Sequence, residues 1–292
     1  MTSNIGKVFR EIRLSRHLSL DYVSCSIVTK SFLSKFERGQ SSIMFEKLVA
    51  LLERMQVTIT EFMYRVHHYF WTPTQHFFVA LKQAQSEGNT GDIESLIVEE
   101  ANQVAQPLSI HDPHYLRKIA AECSLAALND TKPAQNDVDS ALDHLLQTED
   151  WMQADLNLFL FLIPFCGVET LVEYSTEIAK KSVVYLTSDE NGQTVVNIQL
   201  NILAMLLYNN ALSSAGTLIG LLSQNATMTM YAAENLFIFK HLQIVYHHLL
   251  ADHYDSQGAY KELLAVMKFL DTGKIRTDVE QQHQSFHDNE LL

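Results

Sequence analysis

The chain has 292 residues, 47% hydrophobic and 19% charged, with 21 Lys and Arg against 34 Asp and Glu for a formal net charge of −13. That length exceeds the usual single domain, so a small unit joined to a larger one is expected. Residues 1–68 carry ten cations against six anions and the remainder eleven against twenty-eight, so a mildly basic head precedes an acidic body that phosphate should repel, which excludes the body as a nucleic-acid surface.

In chain order, Ile5, Val8, Phe9 and Ile12 recur at helical spacing and predict an amphipathic helix whose outer face carries Lys7, Arg10 and Arg13. Ser19 is placed to N-cap a second helix holding Leu20 and Val23, and Ser24-Cys25-Ser26 reads as a short turn. In the run Thr29 to Gly39, Phe32, Leu33 and Phe36 form an inward stripe, while Lys30, Ser31, Ser34, Lys35 and Arg38 face outward. A short basic helix with small hydroxyl residues between its cations suits a major groove, so the pair reads as a helix-turn-helix with the second helix as reader. Arg10, Arg13 and Arg16 are expected to meet phosphate beside it.

Met44, Phe45, Leu48, Leu51 and Leu52 predict a fourth helix, and Thr58-Ile-Thr-Glu61 reads as a capping box opening a fifth. Gly39 is suited to the left-handed turn that ends the reader helix. These assignments give a DNA-binding domain over residues 1–66, a linker over 67–74 and a second domain over 75–292.

From Thr74 onward the apolar residues keep a helical period and strand-like alternation is nearly absent. Polar or glycine-bearing breaks fall at Glu87–Gly91, Pro107–Pro113, Asn129–Pro133, Thr148–Asp150, Cys166-Gly167, Ser188–Gly192, Asn209-Asn210, Asn225–Thr229 and Asp252–Gly258. About ten helices joined by short turns imply an all-α body of stacked antiparallel hairpins, a TPR-like α-solenoid. Such a body offers a concave surface suited to an extended peptide, whose backbone an inward-facing Asn can match as both donor and acceptor. The candidate clamps are Asn197, Asn201, Met205 and Tyr208 on one face of a helix from Gln193 to Asn210, then Asn157 with Phe161, and Asn235 with Phe239. The apolar surplus of a C-terminal helix with Tyr260, Leu263, Leu264, Met267 and Leu270 is expected to hold a dimer, which doubles the reader helices on a palindromic site.

The spacing Gly6, Arg10, Ile12-Arg13, Ser19-Leu20, Leu33-Ser34 and Glu37-Arg38-Gly39 resembles the Xre (Cro/repressor-like) DNA-binding domain. Such domains often have Gln where this chain has Leu20 and Lys30, and Gly in the turn where it has Ser or Cys, which leaves the fold and alters the target sequence. Trp151, Asp155 and Leu156-Asn157-Leu158-Phe159 resemble a motif of the Rgg family (Rgg/GadR/MutR), regulators that join an Xre head to a helical-repeat body. The resemblance implies a cytoplasmic homodimer that binds double-stranded DNA and, as several members do, a short pheromone peptide in the body.

Other chemistries find less support. Cys25, Cys123 and Cys166 form no CxxC pair or disulfide framework, which fits a reducing compartment. The chain opens on a basic amphipathic helix rather than a signal peptide, and the most apolar window, Leu156 to Val168, holds Asn157 and Pro164 and is too short to span a bilayer. His247-His248 with Asp252-His253 approaches metal-ligand spacing, but adjacent residues diverge by about 100° on a helix, so no metal is expected; His67-His68 reads as structural. No GxGxxG, GxxxxGK[ST] or GxSxG occurs, and no cofactor or enzymatic activity is expected, since Cys166 lies in an apolar run. The alternatives are a peptide-independent regulator that senses pH through some of its thirteen histidines or a metabolite, and a scaffold bringing the head to a larger complex.

Overall fold

The computed structural model describes residues 5–66, 72–181, 189–224, 233–251, 253–270, 272–289 and 291. Among them are sixteen α-helices, one short 3-10 turn at Ile163–Phe165 and no strand. The chain divides into two compact units, Met1–Val79 and Ala80–Leu292.

The first unit holds α1 (Ile5–Ser15), α2 (Leu20–Ser24), α3 (Lys30–Glu37), α4 (Phe45–Arg54) and α5 (Ile59–Val66). Their apolar stripes meet in one core of Val8, Phe9, Ile12, Val23, Leu33, Phe36, Leu48, Leu51, Leu52 and Phe62. Phe9 is its centre, with Phe36 edge-on at 5.5 Å and Phe62 at 6.4 Å. Gly6 lets α1 approach α3 closely, since a Cβ there would stand 1.9 Å from the Phe36 carbonyl oxygen.

Local capping sets the boundaries. Ser19 accepts from the Tyr22 N–H at 3.1 Å and Thr29 from the Phe32 N–H at 3.2 Å, so each helix of the helix-turn-helix starts on a hydroxyl cap. Behind α3, Gly39 (φ 70°) donates to the Phe36 carbonyl at 2.8 Å and Gln40 to the Lys35 carbonyl at 2.9 Å, a Schellman ending. The expected capping box opens α5: Glu61 accepts from the Thr58 N–H at 2.8 Å and donates its own N–H to the Thr58 hydroxyl at 3.2 Å. Met44 and Phe45, expected to face the core, are exposed, because Met44 is the N-cap of α4 and the inward stripe starts only at Leu48.

Pro73 and Thr74, read as linker, instead open α6 (Pro73–Glu87). Thr72 and Gln75 cap it reciprocally, with Pro73 at the first helical position, where its missing N–H costs nothing. Residues 67–71 of that linker, His67 and His68 among them, lie outside the described residues.

The second unit continues through α7 (Thr90–Ala101), α8 (Pro113–Leu128), α9 (Gln135–Gln147), α10 (Gln153–Leu162), α11 (Val168–Lys181), α12 (Asp189–Tyr208), α13 (Leu212–Gln224), α14 (Ala233–Leu249), α15 (Ser256–Phe269) and α16 (Gly273–Asp288). Each pairs with its chain neighbour or next neighbour, and α8, α10, α12, α14 and α16 pack in one continuous row. That row-and-partner arrangement is what stacked hairpins produce. Most expected breaks coincide with interhelical turns. At Ser188–Gly192 the chain is already helical from Asp189, Gly258 lies inside α15, and Asn225–Thr229 falls outside the described residues. The body also ends one helix later than the apolar pattern indicated: α16 is mostly polar and is held by Val279 and Phe286, both buried.

Candidate nucleic-acid interface and ligand groove

The reader face is carried by α3. Leu33 and Phe36 are buried beneath it; Lys30, Ser31, Lys35 and Arg38 are exposed and Ser34 is half-buried. Arg38 donates from Nε to the Ser34 carbonyl at 3.2 Å, which lays its guanidinium along the helix end. Lys30 pairs with Asp21 of α2 at 2.6 Å. Both members are solvent-exposed, so the pair holds little energy and a phosphate can displace the carboxylate. Ser26 in the turn takes φ 66°, the left-handed conformation that glycine adopts at lower cost.

Arg10 and Arg16 are exposed. Arg13 is not: it is 6% exposed, and it donates from Nε and Nη2 to the two Glu37 oxygens at 2.6 and 2.8 Å and from Nη1 to the Leu18 carbonyl at 2.7 Å. The hydrogen bond to Glu37 raises its pKa further. Arg13 therefore leaves the phosphate-contact set, because helical spacing put it at the margin of the buried stripe and Glu37 drew it inward. Sequence reading did not single out the contact between Tyr22 and Arg54. Tyr22 is 51% exposed on α2, with the Arg54 guanidinium 4.9 Å from its ring centre and Arg54 Nε donating to its carbonyl at 2.5 Å. Thirty-two positions separate them, so no local pattern pointed to the pair.

The proposed peptide clamps divide. Asn197 and Asn201 line a pocket of 230 Å³ with Leu160, Leu200, Glu234, Ile238 and Gln282. These residues come from α10, α12, α14 and α16, consecutive members of the row. Asn201 donates from Nδ2 to the Asn197 carbonyl at 2.8 Å, which leaves its Oδ1 and its second N–H for a ligand. Gln282 accepts at Oε1 from His241 Nδ1 at 2.9 Å, which leaves its amide N–H groups.

Most of the other clamp candidates do not face a groove. Asn157 is buried and accepts from Lys82 Nζ at 2.7 Å, and Phe161 is buried near it, because α10 is apolar nearly all round and occupies the interior. Asn235, 1% exposed, and Phe239 are core residues of α14. Tyr208 stacks on Phe286 of α16 at 4.2 Å, and Met205 is half-buried.

The Trp151 to Phe159 motif has a structural role. Trp151 is wholly buried and donates from Nε1 to the Leu145 carbonyl at 2.9 Å, while Phe159 stacks on Tyr174 at 4.8 Å. Asp155 accepts from the Met152 N–H at 2.8 Å and so caps α10. Cys166 is buried with its Sγ–H on the Leu162 carbonyl, and burial pushes its thiol up to about 12, so no thiolate nucleophile forms near neutrality. His247 lies against Tyr254 and His248 bonds Ser256, while Asp252 falls outside the described residues. No described helix is long and apolar enough to cross a membrane.

Two family profiles match this chain. One is the C-terminal domain of the HTH-type transcriptional regulator Rgg, over residues 100–281, and the other a helix-turn-helix domain, over residues 9–62. Among solved structures, a Listeria monocytogenes EGD-e chain described as a candidate transcriptional regulator superposes with a TM-score of 0.83 at 17% identity, covering 99% of each chain. The SHP pheromone receptor Rgg2 of Streptococcus dysgalactiae gives 0.78 at 18% identity, covering 96% of this chain and 99% of that one. PrgX in its complex with cCF10 gives 0.71 at 16%, covering 96% and 99%. At these identities the likeness to solved structures is one of fold.

Proposed function

Because the chain belongs to the Rgg family of helix-turn-helix transcriptional regulators, we propose that it is a cytoplasmic homodimer that reads a palindromic operator and is controlled by a short peptide bound on the helical row of its second unit. The observation that carries the DNA half is the exposed set Lys30, Ser31, Lys35 and Arg38 on a helix fixed at both ends by caps and Glu37. A rigid reader limits the entropy lost when it enters the groove.

Support for peptide control comes from the pocket where Asn197 and Asn201 converge with groups of three other helices, and from the fold shared with a pheromone receptor, Rgg2, and with the PrgX/cCF10 complex. Support for a dimer through the second unit comes from α15. Tyr260, Leu263, Leu264 and Met267 pack inward, whereas Val266, Phe269 and Leu270 form an exposed apolar face. The test is DNA affinity with and without the peptide fraction of spent culture medium, on the wild type and on Asn201→Ala. The reading expects a peptide-dependent change that the variant loses at unchanged melting temperature; unchanged wild-type affinity contradicts it.

A pH-controlled second reading is favoured by one observation, the wholly buried His241, whose Nε2 stands 3.2 Å from His283 Nδ1.

A further inference from the structure

The pocket between α10, α12, α14 and α16 has a definite chemical polarity. Glu234 is the charged residue among the described residues that line it, and its carboxylate forms no ion pair with a described residue. Asn201 Oδ1 is a second acceptor, beside the one N–H that the Asn201 amide keeps after donating to the Asn197 carbonyl. Gln282 offers only its N–H groups, because its oxygen is taken by His241. Leu160, Leu200 and Ile238 make the walls apolar.

An anionic acceptor beside amides that can both accept and donate, against an apolar wall, matches an ammonium or guanidinium followed by a peptide carbonyl and a hydrophobic side chain. An anionic group would meet Glu234 at short range and, over residues 69–292, twenty-eight acidic against eleven basic residues at long range. At 230 Å³ the space lies below the roughly 300–1,000 Å³ of sites that enclose a whole drug-sized ligand, so it holds one end of a longer molecule. We infer that this pocket is a cation subsite for the effector peptide: Glu234 and Asn201 accept from its positive group, and Gln282 donates to the adjoining carbonyl. The inference rests on the peptide-controlled reading above and specifies its ligand. The cation is either the N-terminal ammonium or a basic side chain.

Three synthetic probes distinguish these sources in calorimetric titrations of the full chain at neutral pH: Leu-Leu-Leu amide with a free N-terminus, N-acetyl-Leu-Leu-Leu amide, and N-acetyl-Lys-Leu-Leu amide. At least one cationic probe should bind the wild type about tenfold or more tighter than the neutral one, the scale of a charge-assisted hydrogen bond. The cationic probe that wins identifies the source. Glu234→Gln should erase the preference at unchanged melting temperature. Glu234→Lys should transfer it to N-acetyl-Glu-Leu-Leu amide. Equal binding of all three probes, or a preference that survives in Glu234→Gln, overturns the cation subsite while leaving peptide control standing. No binding of any probe overturns the subsite, and if the spent-medium peptides also leave DNA affinity unchanged, peptide control falls with it.

Discussion

Arg13 near the end of α1 and Glu37 at the end of α3 form a two-pronged ion pair at 2.6 and 2.8 Å, almost wholly shielded from water. The pair joins the helix before the helix-turn-helix to the end of the reader, and the remaining Arg13 nitrogen holds the Leu18 carbonyl just ahead of Ser19. Glu37 of the Glu37-Arg38-Gly39 signature is thus a positioning residue, while Arg38 beside it is exposed to solvent.

Breaking the pair from one side should unfold the head rather than weaken one phosphate contact. Arg13→Ala or Glu37→Ala leaves a buried charge unpaired, at a cost of about 3–5 kcal/mol. Arg13→Met combined with Glu37→Leu should recover most of that loss. Thermal denaturation of the three variants checks this, and a stable Arg13→Ala protein with only reduced DNA affinity would return Arg13 to the phosphate contacts.

Gly6→Ala sets helix propensity against packing. In an open helix the change gains up to about 1 kcal/mol. Here the added Cβ meets the Phe36 carbonyl oxygen at 1.9 Å, so α1 must shift away from α3, and the net effect should be a loss of about 1–3 kcal/mol. A raised denaturation midpoint would show that this approach is not close in solution.

Much of this fold was legible because its determinants are local. Ser19, Thr58 with Glu61, and Gly39 act within a few residues of themselves, and the structure uses each as the spacing indicated; Thr29 caps α3 in the same local way, although the sequence reading did not single it out. The start of α6 was equally legible in Thr72-Pro73-Thr74-Gln75, whose capping pattern went unread. The effector site was legible only in part. Periodicity placed Asn197 and Asn201 on one face, but it could not distinguish the exposed side of α12 from the buried sides of α10 and α14, which tertiary neighbours decide. Glu234 and Gln282 reach the pocket from helices far apart in the chain, so no sequence window contains them together.

Stability should fall below neutral pH through His241. Burial pushes this imidazole down to about 4 from an ordinary value of 6.5, against the raising effect of its bond to Gln282, and His283 lowers it further. His283 is itself lowered, by burial and then by His287 and His248. The groups facing His241 are Gln282, His283 and Phe286 of α16 and Tyr260 of α15. The unfolded chain binds the proton first, so this contribution is fully present above about pH 6.5 and is lost as pH falls towards 4, to a total of about 3 kcal/mol. Melting temperatures of the wild type and His241→Leu should therefore diverge between pH 7.5 and 5 by amounts that track pH; parallel curves would contradict the assignment.

The exposed face of α15 should govern assembly. Phe269 is 87% exposed, so Phe269→Asp costs the isolated subunit little, but it would bury a carboxylate in a two-fold interface. Sedimentation should find the wild type dimeric and the variant monomeric at the same melting temperature. A dimeric variant would place the interface elsewhere.

The central claim, that α3 reads DNA as one of a pair, is tested most directly by fluorescence anisotropy across a salt series, on a duplex selected from a random library with the full-length protein. If a dimer neutralises about six phosphates, log affinity should fall against log salt with a slope of about −5. Lys30→Ala with Lys35→Ala should make that slope shallower and weaken binding at every salt concentration, without lowering the melting temperature. Salt-independent binding, or full affinity in the double variant, would contradict the reader face.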